Sequence, residues 1–128
     1  MKPAPFEYVA PRDIEETLAL LARHGGDAKL LAGGQSLVPM MNLRLARPAV
    51  VLNLNRVSGL GGIQAEDRGL TLGALVRQRQ LERDARIAER APLLAEAAPS
   101  IGHLQTRTRG TVGGAWLMPT PRPSCRPA

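Results

Sequence analysis

Over the first part of the chain, apolar residues alternate between short continuous runs and helical periods. Phe6-Glu7-Tyr8-Val9 reads as a short strand, punctuated by Pro11. Asp13 takes the N-cap position of a helix, and Glu16 follows three residues later as in a capping box. Ile14, Leu18, Leu21 and Ala22 then recur at helical spacing. Arg23 and His24 occupy the last turn, where positive charge suits the carbonyl end, and Gly25-Gly26 stops the helix. That position explains His24 without a catalytic role. Ala28–Leu31 is the next strand, and Ser36 is placed to cap a short helix running through Met41 to Arg44. Met40 and Met41 read as core. After Pro48, Ala49-Val50-Val51-Leu52-Asn53-Leu54 has the character of a buried strand. Strand, helix, strand, short helix, strand predicts a small parallel lobe over residues 1–57.

Gly59–Gly62 reads as a hinge, and beyond it the period falls to two. Ile63-Gln64-Ala65 and Leu70-Thr71-Leu72 flank Glu66-Asp67-Arg68-Gly69, a hairpin pattern. Helical material is expected from Arg79 to about Ala98, with a break at Pro92, a residue accepted in a first helical turn. Within Leu81–Glu96 the arginines alternate with Glu and Asp as on a solvated helix face. His103 stands alone, with no partner at metal-ligand spacing. These segments predict a second α/β lobe over residues 58–114. From Ala115 to Ala128 the chain carries Pro119, Pro121, Pro123 and Pro127 with arginines between them, which predicts a disordered tail.

Two glycine stretches carry the candidate chemistry. Leu30-Leu31-Ala32-Gly33-Gly34-Gln35-Ser36-Leu37 runs from an apolar strand into two glycines and restarts at a residue able to cap a helix. Such a turn gathers several backbone N–H groups with no β-carbon in the way, so an anionic group can approach closely. Gly110-Thr111-Val112-Gly113-Gly114 is a second turn of this kind. Two turns converging on one ligand suit a diphosphate. Neither G-x-G-x-x-G nor G-K-[ST] is present, so the standard dinucleotide and P-loop fingerprints fail.

Composition narrows the field further. Hydrophobic residues make up 44% of the 128 positions but aromatics only 2%, so Leu, Val, Ile and Ala must build the core. One cysteine, Cys125, excludes an internal disulfide and the cysteine sets of iron–sulfur clusters or structural zinc. The net charge of +6 suggests nucleic acid, but the basic residues are scattered and no basic run is interleaved with aromatics. Nucleic-acid binding is therefore not expected. Without an apolar run of about 18 residues or a signal sequence, the expectation is a cytoplasmic protein with no membrane span. No nucleophile–base pair or carboxylate dyad is visible, so no catalytic residue is assigned and no metal site is expected.

The chain resembles the flavoprotein (medium) subunit of the molybdenum hydroxylases, the carbon monoxide dehydrogenase-like and xanthine dehydrogenase-like enzymes. The resemblance runs from about Pro5 to Gly114 and is carried by the stretch Ala32–Ala46, by Arg109–Gly114 and by Leu93–Ala98 before the latter. It implies an α+β fold, the two-lobed FAD-binding domain of the p-cresol methylhydroxylase type. It also implies FAD as cofactor. Leu31, Ala32, Gly33, Gly34, Gln35, Ser36 and Leu37 would hold the pyrophosphate, largely through backbone amides. Thr111, Val112, Gly113 and Gly114 would approach from the second lobe, and Ser36 and Thr111 would add hydroxyls. In the family the flavin collects electrons from two [2Fe–2S] clusters on a small subunit and passes them to an acceptor. A molybdopterin-containing large subunit oxidises the substrate. Asn53 stands where many relatives carry Asp, and Thr106 and Thr108 replace the usual Ile and Asn.

After Gly114 the likeness stops. Relatives continue with Ser-Leu-Ala-His-Ala-Asp-Pro, then complete the lobe and add a C-terminal domain. A frame displaced by two nucleotides across Ala115–Ala128 permits Leu-Ala-His-Ala-Asp-Pro-Ala-Ala-Glu-Leu-Pro-Ala, so a frameshift near Gly114 or Ala115 is expected. The sequence thus predicts a truncated electron-transfer subunit with weak or no FAD binding alone. The alternative is a non-catalytic remnant that docks partner subunits without flavin.

Overall fold

The structure, a computed structural model, describes residues 1–117. Three strands form a parallel sheet: β1 (Glu7–Val9), β2 (Ala28–Leu31) and β3 (Val50–Asn53), in the order β1-β3-β2. Tyr8 pairs with Val51 and Leu30 with Leu52, so the most apolar strand lies at the centre. Ala28, Val50 and Leu52 form a core against which Val9, Leu20 and Leu21 pack.

Leu20 and Leu21 come from helix α1 (Ile14–His24). Asp13 accepts a hydrogen bond from the Glu16 amide at 2.7 Å, and the Glu16 carboxylate accepts from the Arg12 amide at 2.8 Å. The expected capping box therefore closes one residue upstream of its usual place. Gly25 ends the helix at φ 54°, a conformation that penalises residues bearing a β-carbon. The inward stripe is Thr17, Leu20, Leu21 and His24; of the expected Ile14, Leu18, Leu21 and Ala22, Leu21 lies on it and the other three are exposed. Thr17 is tolerated inside because its hydroxyl donates to the Asp13 carbonyl at 2.7 Å.

Helix α2 (Leu37–Asn42) is shorter than expected, ending as Arg44 takes a positive φ of 56°. Met41 is buried and Met40 half-buried. Gly59–Gly62 is no free hinge: Leu75 and Gly73 donate from their amides to the carbonyls of Leu60 and Gly62, both at 2.8 Å.

The second half begins with the expected hairpin, β4 (Ile63–Glu66) and β5 (Gly69–Leu72), turning at Asp67-Arg68. The helical stretch that follows breaks twice: α3 (Gln78–Arg83), α4 (Ala85–Arg90) and α5 (Pro92–Ala97). Pro92 makes one break. Asp84 makes the other, accepting from the Arg86 amide at 2.9 Å to cap α4. Ile63, Val76, Leu81, Ile87 and Ala98 form the core here, with Leu72, Leu94 and Val112 against it. Helices α6 (Leu104–Arg109) and α7 (Val112–Leu117) complete the described chain. Ala115, Trp116 and Leu117 thus continue a helix, contrary to the expected irregular tail, because the prolines begin only at Pro119. The rest of that tail, 118–128, lies outside the described residues.

The charged face expected in Leu81–Glu96 is partly interior. Glu82, whose side chain is 9% exposed, pairs with both Arg79 and Arg107. Arg107 is buried and also donates to the carbonyls of Ile101 at 3.1 Å and Gly102 at 2.9 Å. Burial pushes the Glu82 carboxyl up, but the hydrogen bonds and charges of Arg107 and Arg79 together outweigh it and hold the group below its usual range. Asp84 is lowered chiefly by its hydrogen bond with Arg86. A lowered carboxylate stabilises the fold above its unfolded pKa, and that contribution is lost as pH falls through the folded value. Acid titration below about pH 4 should therefore destabilise the protein, and Glu82→Gln should flatten that dependence in urea melts at pH 7 and at pH 4.

Candidate functional site

The site grows from the carboxyl edge of the parallel sheet, where strands of this arrangement deliver their following loops. Leu31 ends β2 beside Asn53, and the chain leaves the sheet at Ala32. Gly34 turns it at φ 73°, and the Val38 amide donates back to the Gly34 carbonyl at 3.1 Å to start α2. Among the described residues, the amides of Gly34, Gln35, Ser36 and Leu37 donate to no protein acceptor. Ser36 was expected to cap α2, but its hydroxyl makes no capping bond. Four successive donors and a hydroxyl are therefore left uncommitted on one turn.

The second glycine stretch has a different construction. Gly110 caps the end of α6 and separates it from α7, and Thr111 caps α7 by accepting from the Gly114 amide at 3.1 Å. The Val112 and Gly113 amides donate to the carbonyls of Val76 at 2.9 Å and Ala74 at 2.8 Å. These amides are spent on the fold. Glycine at 113 serves packing: a β-carbon there would sit 2.8 Å from the Ala74 β-carbon.

The two stretches touch. A β-carbon on Gly33 would lie 2.3 Å from the Arg109 carbonyl oxygen and 3.0 Å from the Gly110 α-carbon. Between them lies a cavity of about 280 Å³. Of the residues expected at the site, Ala32, Gly33, Gly34, Gln35, Ser36, Leu37, Thr111, Gly113 and Gly114 line it. Leu31 and Val112 do not; Val112 faces the second core instead. No acidic or basic side chain forms the wall, so an anion there would meet backbone dipoles in an otherwise apolar setting.

Sequence reasoning missed Ala74, Leu75, Gln78, Ile101 and Thr106, which also line the cavity. Gln78 is buried, its amide donates to the Gly110 carbonyl at 2.9 Å, and its side-chain oxygen has no hydrogen-bond partner among the described residues. A polar residue between two arginines gave no signal of this. Pairing across a wide sequence gap, Arg77 with Thr111 and Gln78 with Gly110, brings it to the site. Asn53, the departure from the expected Asp, accepts from the Asn55 amide at 3.0 Å and donates to the Tyr8 hydroxyl, work that an amide side chain does. His24 and His103 lie away from the cavity wall, and the described residues hold no cluster of metal-ligating groups. No helix among them is long and apolar enough to cross a membrane.

Residues 4–125 match the family model described as the FAD binding domain in molybdopterin dehydrogenase. The chain is 47% identical over 115 residues to the 6-hydroxypseudooxynicotine dehydrogenase complex subunit alpha of Paenarthrobacter nicotinovorans, covering 90% of this chain and 39% of that one. It is 47% identical over 114 residues to the carbon monoxide dehydrogenase medium chain of Hydrogenophaga pseudoflava, covering 89% and 40%. The fold superposes with a TM-score of 0.87 on a solved structure of carbon monoxide dehydrogenase from that organism, again over 89% of this chain and 40% of that one. The chain thus spans about two fifths of the length of these relatives.

Proposed function

The chain belongs to the family of FAD binding domains of the molybdopterin dehydrogenases, and from that premise we propose that its two glycine stretches hold the diphosphate of FAD. The observation that carries this is the run of uncommitted amides from Gly34 to Leu37, in residues that line the cavity together with Thr111, Gly113 and Gly114. A diphosphate needs several donors on a short arc and no negative side chain nearby, and this wall has both properties. The amides and the Ser36 hydroxyl orient the phosphates. Thr111 caps α7 with its oxygen and keeps its hydroxyl proton for a ligand. Leu37, Leu54, Leu75 and Ile101 exclude water around the charged group. When bound, FAD supplies the electron-carrying chemistry, and the protein supplies its position and surroundings.

The larger assignment follows the resemblance. We place the chain in the medium subunit of a cytoplasmic molybdenum hydroxylase, between a [2Fe–2S] small subunit and a molybdopterin-containing large one. By itself it should hold FAD weakly. Its cavity of about 280 Å³ falls below the roughly 300–1,000 Å³ that encloses a drug-sized ligand, and FAD is larger than such a ligand. Titrating the purified chain into FAD and following flavin absorbance and fluorescence tests the assignment. The expected result is saturable binding in the range of about 1 μM to 1 mM. Unchanged flavin spectra across that range would overturn the cofactor assignment for this chain and favour a docking remnant.

A further inference from the structure

The cavity depends on two loops from different cores keeping a fixed distance, and a chain of polar side chains outside the cavity wall joins them. Asn55 donates through Nδ2 to the Ala32 carbonyl at 2.9 Å and to Asn53 Oδ1 at 2.6 Å. Asn53 in turn donates to the Tyr8 hydroxyl, which anchors the series in β1. On the other side, Arg77 Nη2 donates to Asn55 Oδ1 and Arg77 Nη1 donates to the Arg109 carbonyl. That carbonyl is the one a β-carbon on Gly33 would strike. The backbone around Arg77 is already held against the second stretch, since Gln78 donates to Gly110 and Val112 donates to Val76, both at 2.9 Å. One arginine beside the second stretch thus reaches Asn55, in the turn after β3, and through it the Ala32 carbonyl at the start of the first.

We propose that Arg77, acting through Asn55, is a positioning residue that sets the spacing of the two glycine stretches and thereby the affinity for FAD. Arg77 does not line the cavity, so it does not touch the ligand there. The residue type matters. The planar guanidinium presents donors in a fixed fork and satisfies two acceptors from opposite loops at once, Asn55 Oδ1 and the Arg109 carbonyl. A lysine supplies a single mobile ammonium and cannot hold both in register. Asn55 is equally constrained, because it must accept from Arg77 while donating to Ala32. Asp at this position keeps the first bond and loses the second.

The inference rests on the FAD assignment above, and its test separates the two. The full chain and the variants Arg77→Lys, Arg77→Gln and Asn55→Asp are compared by amide hydrogen exchange without flavin, by thermal melting and by FAD titration. Expected are faster exchange confined to the hydrogen-bonded amides beside the two stretches, Val38 and those of Gly110, Val112, Gly113 and Gly114, a melting temperature close to that of the parent, and FAD affinity reduced by about tenfold or more. Unchanged exchange in these loops, or an affinity equal to the parent's, would overturn the positioning role. Exchange and melting that change together across the whole chain would also overturn it, by making Arg77 a general stabiliser. Absence of FAD binding by the parent chain would sink the cofactor assignment instead, while the exchange pattern still decides whether Arg77 ties the loops.

Discussion

Gly33→Ala is expected to remove measurable flavin binding. The reason is contact, since a β-carbon there would sit 2.3 Å from the Arg109 carbonyl oxygen and 2.9 Å from its carbon. Both are backbone atoms at the end of α6, and backbone cannot swing aside as a side chain does. The two glycine stretches would have to part, opening the cavity between them and breaking the bond from Arg77 to Arg109. Affinity for FAD should fall by about 100-fold or more, with overpacking costing about 1–3 kcal/mol of stability. Gly26→Ala is the matched control. Nothing lies within 4 Å of a β-carbon at Gly26, so flavin titration of that variant should reproduce the parent. Equal affinity for Gly33→Ala and the parent would show that the close approach of the two loops plays no part in binding.

The largest stability loss is expected at Leu52→Ala. Leu52 is 0% exposed, lies in the central strand, and has paired neighbours on both sides. Removing a fully enclosed leucine side chain costs about 2–5 kcal/mol through lost transfer energy and the cavity left behind. Against a total of about 5–15 kcal/mol for an ordinary domain, that is enough to halve the urea midpoint of a marginal chain. Leu18→Ala supplies the contrast. Leu18 is 58% exposed, so its truncation should move the midpoint little, within about 0.5 kcal/mol. Equal losses at the two positions would mean that Leu18 faces a core after all.

That pair of variants also marks where the sequence could be read and where it misled. Periodicity located α1 correctly, because the Asp13 cap and the Gly25 stop are local chemistry. It chose the wrong face, because Ile14 and Leu18 are more apolar than Thr17, and only the sheet decides which stripe is covered. The three strands were legible as runs, but their order was not, since pairing between distant segments leaves no mark on either one. Glu82 looked like a solvated charge, because nothing near it reveals a partner 25 positions away. The Ala32–Leu37 turn was read as a donor-rich loop, and its amides from Gly34 to Leu37 are uncommitted among the described residues. Thr111–Gly114 has the same glycine-rich appearance, yet two of its amides are taken by Ala74 and Val76, residues that no local pattern connects to it. Arg77 and Gln78 escaped notice for the same reason.

The sheet order has a consequence for synthesis of the chain. β1 and β2 are both complete by Leu31, yet neither touches the other; each pairs only with β3, which ends at Asn53. As the polypeptide leaves the ribosome, the first two strands must wait with their hydrogen-bonding edges bare until the third emerges between them. A nascent chain arrested before Val50 should be open to chaperones and proteases, whereas one extended well past Asn53 can close the sheet in a single step.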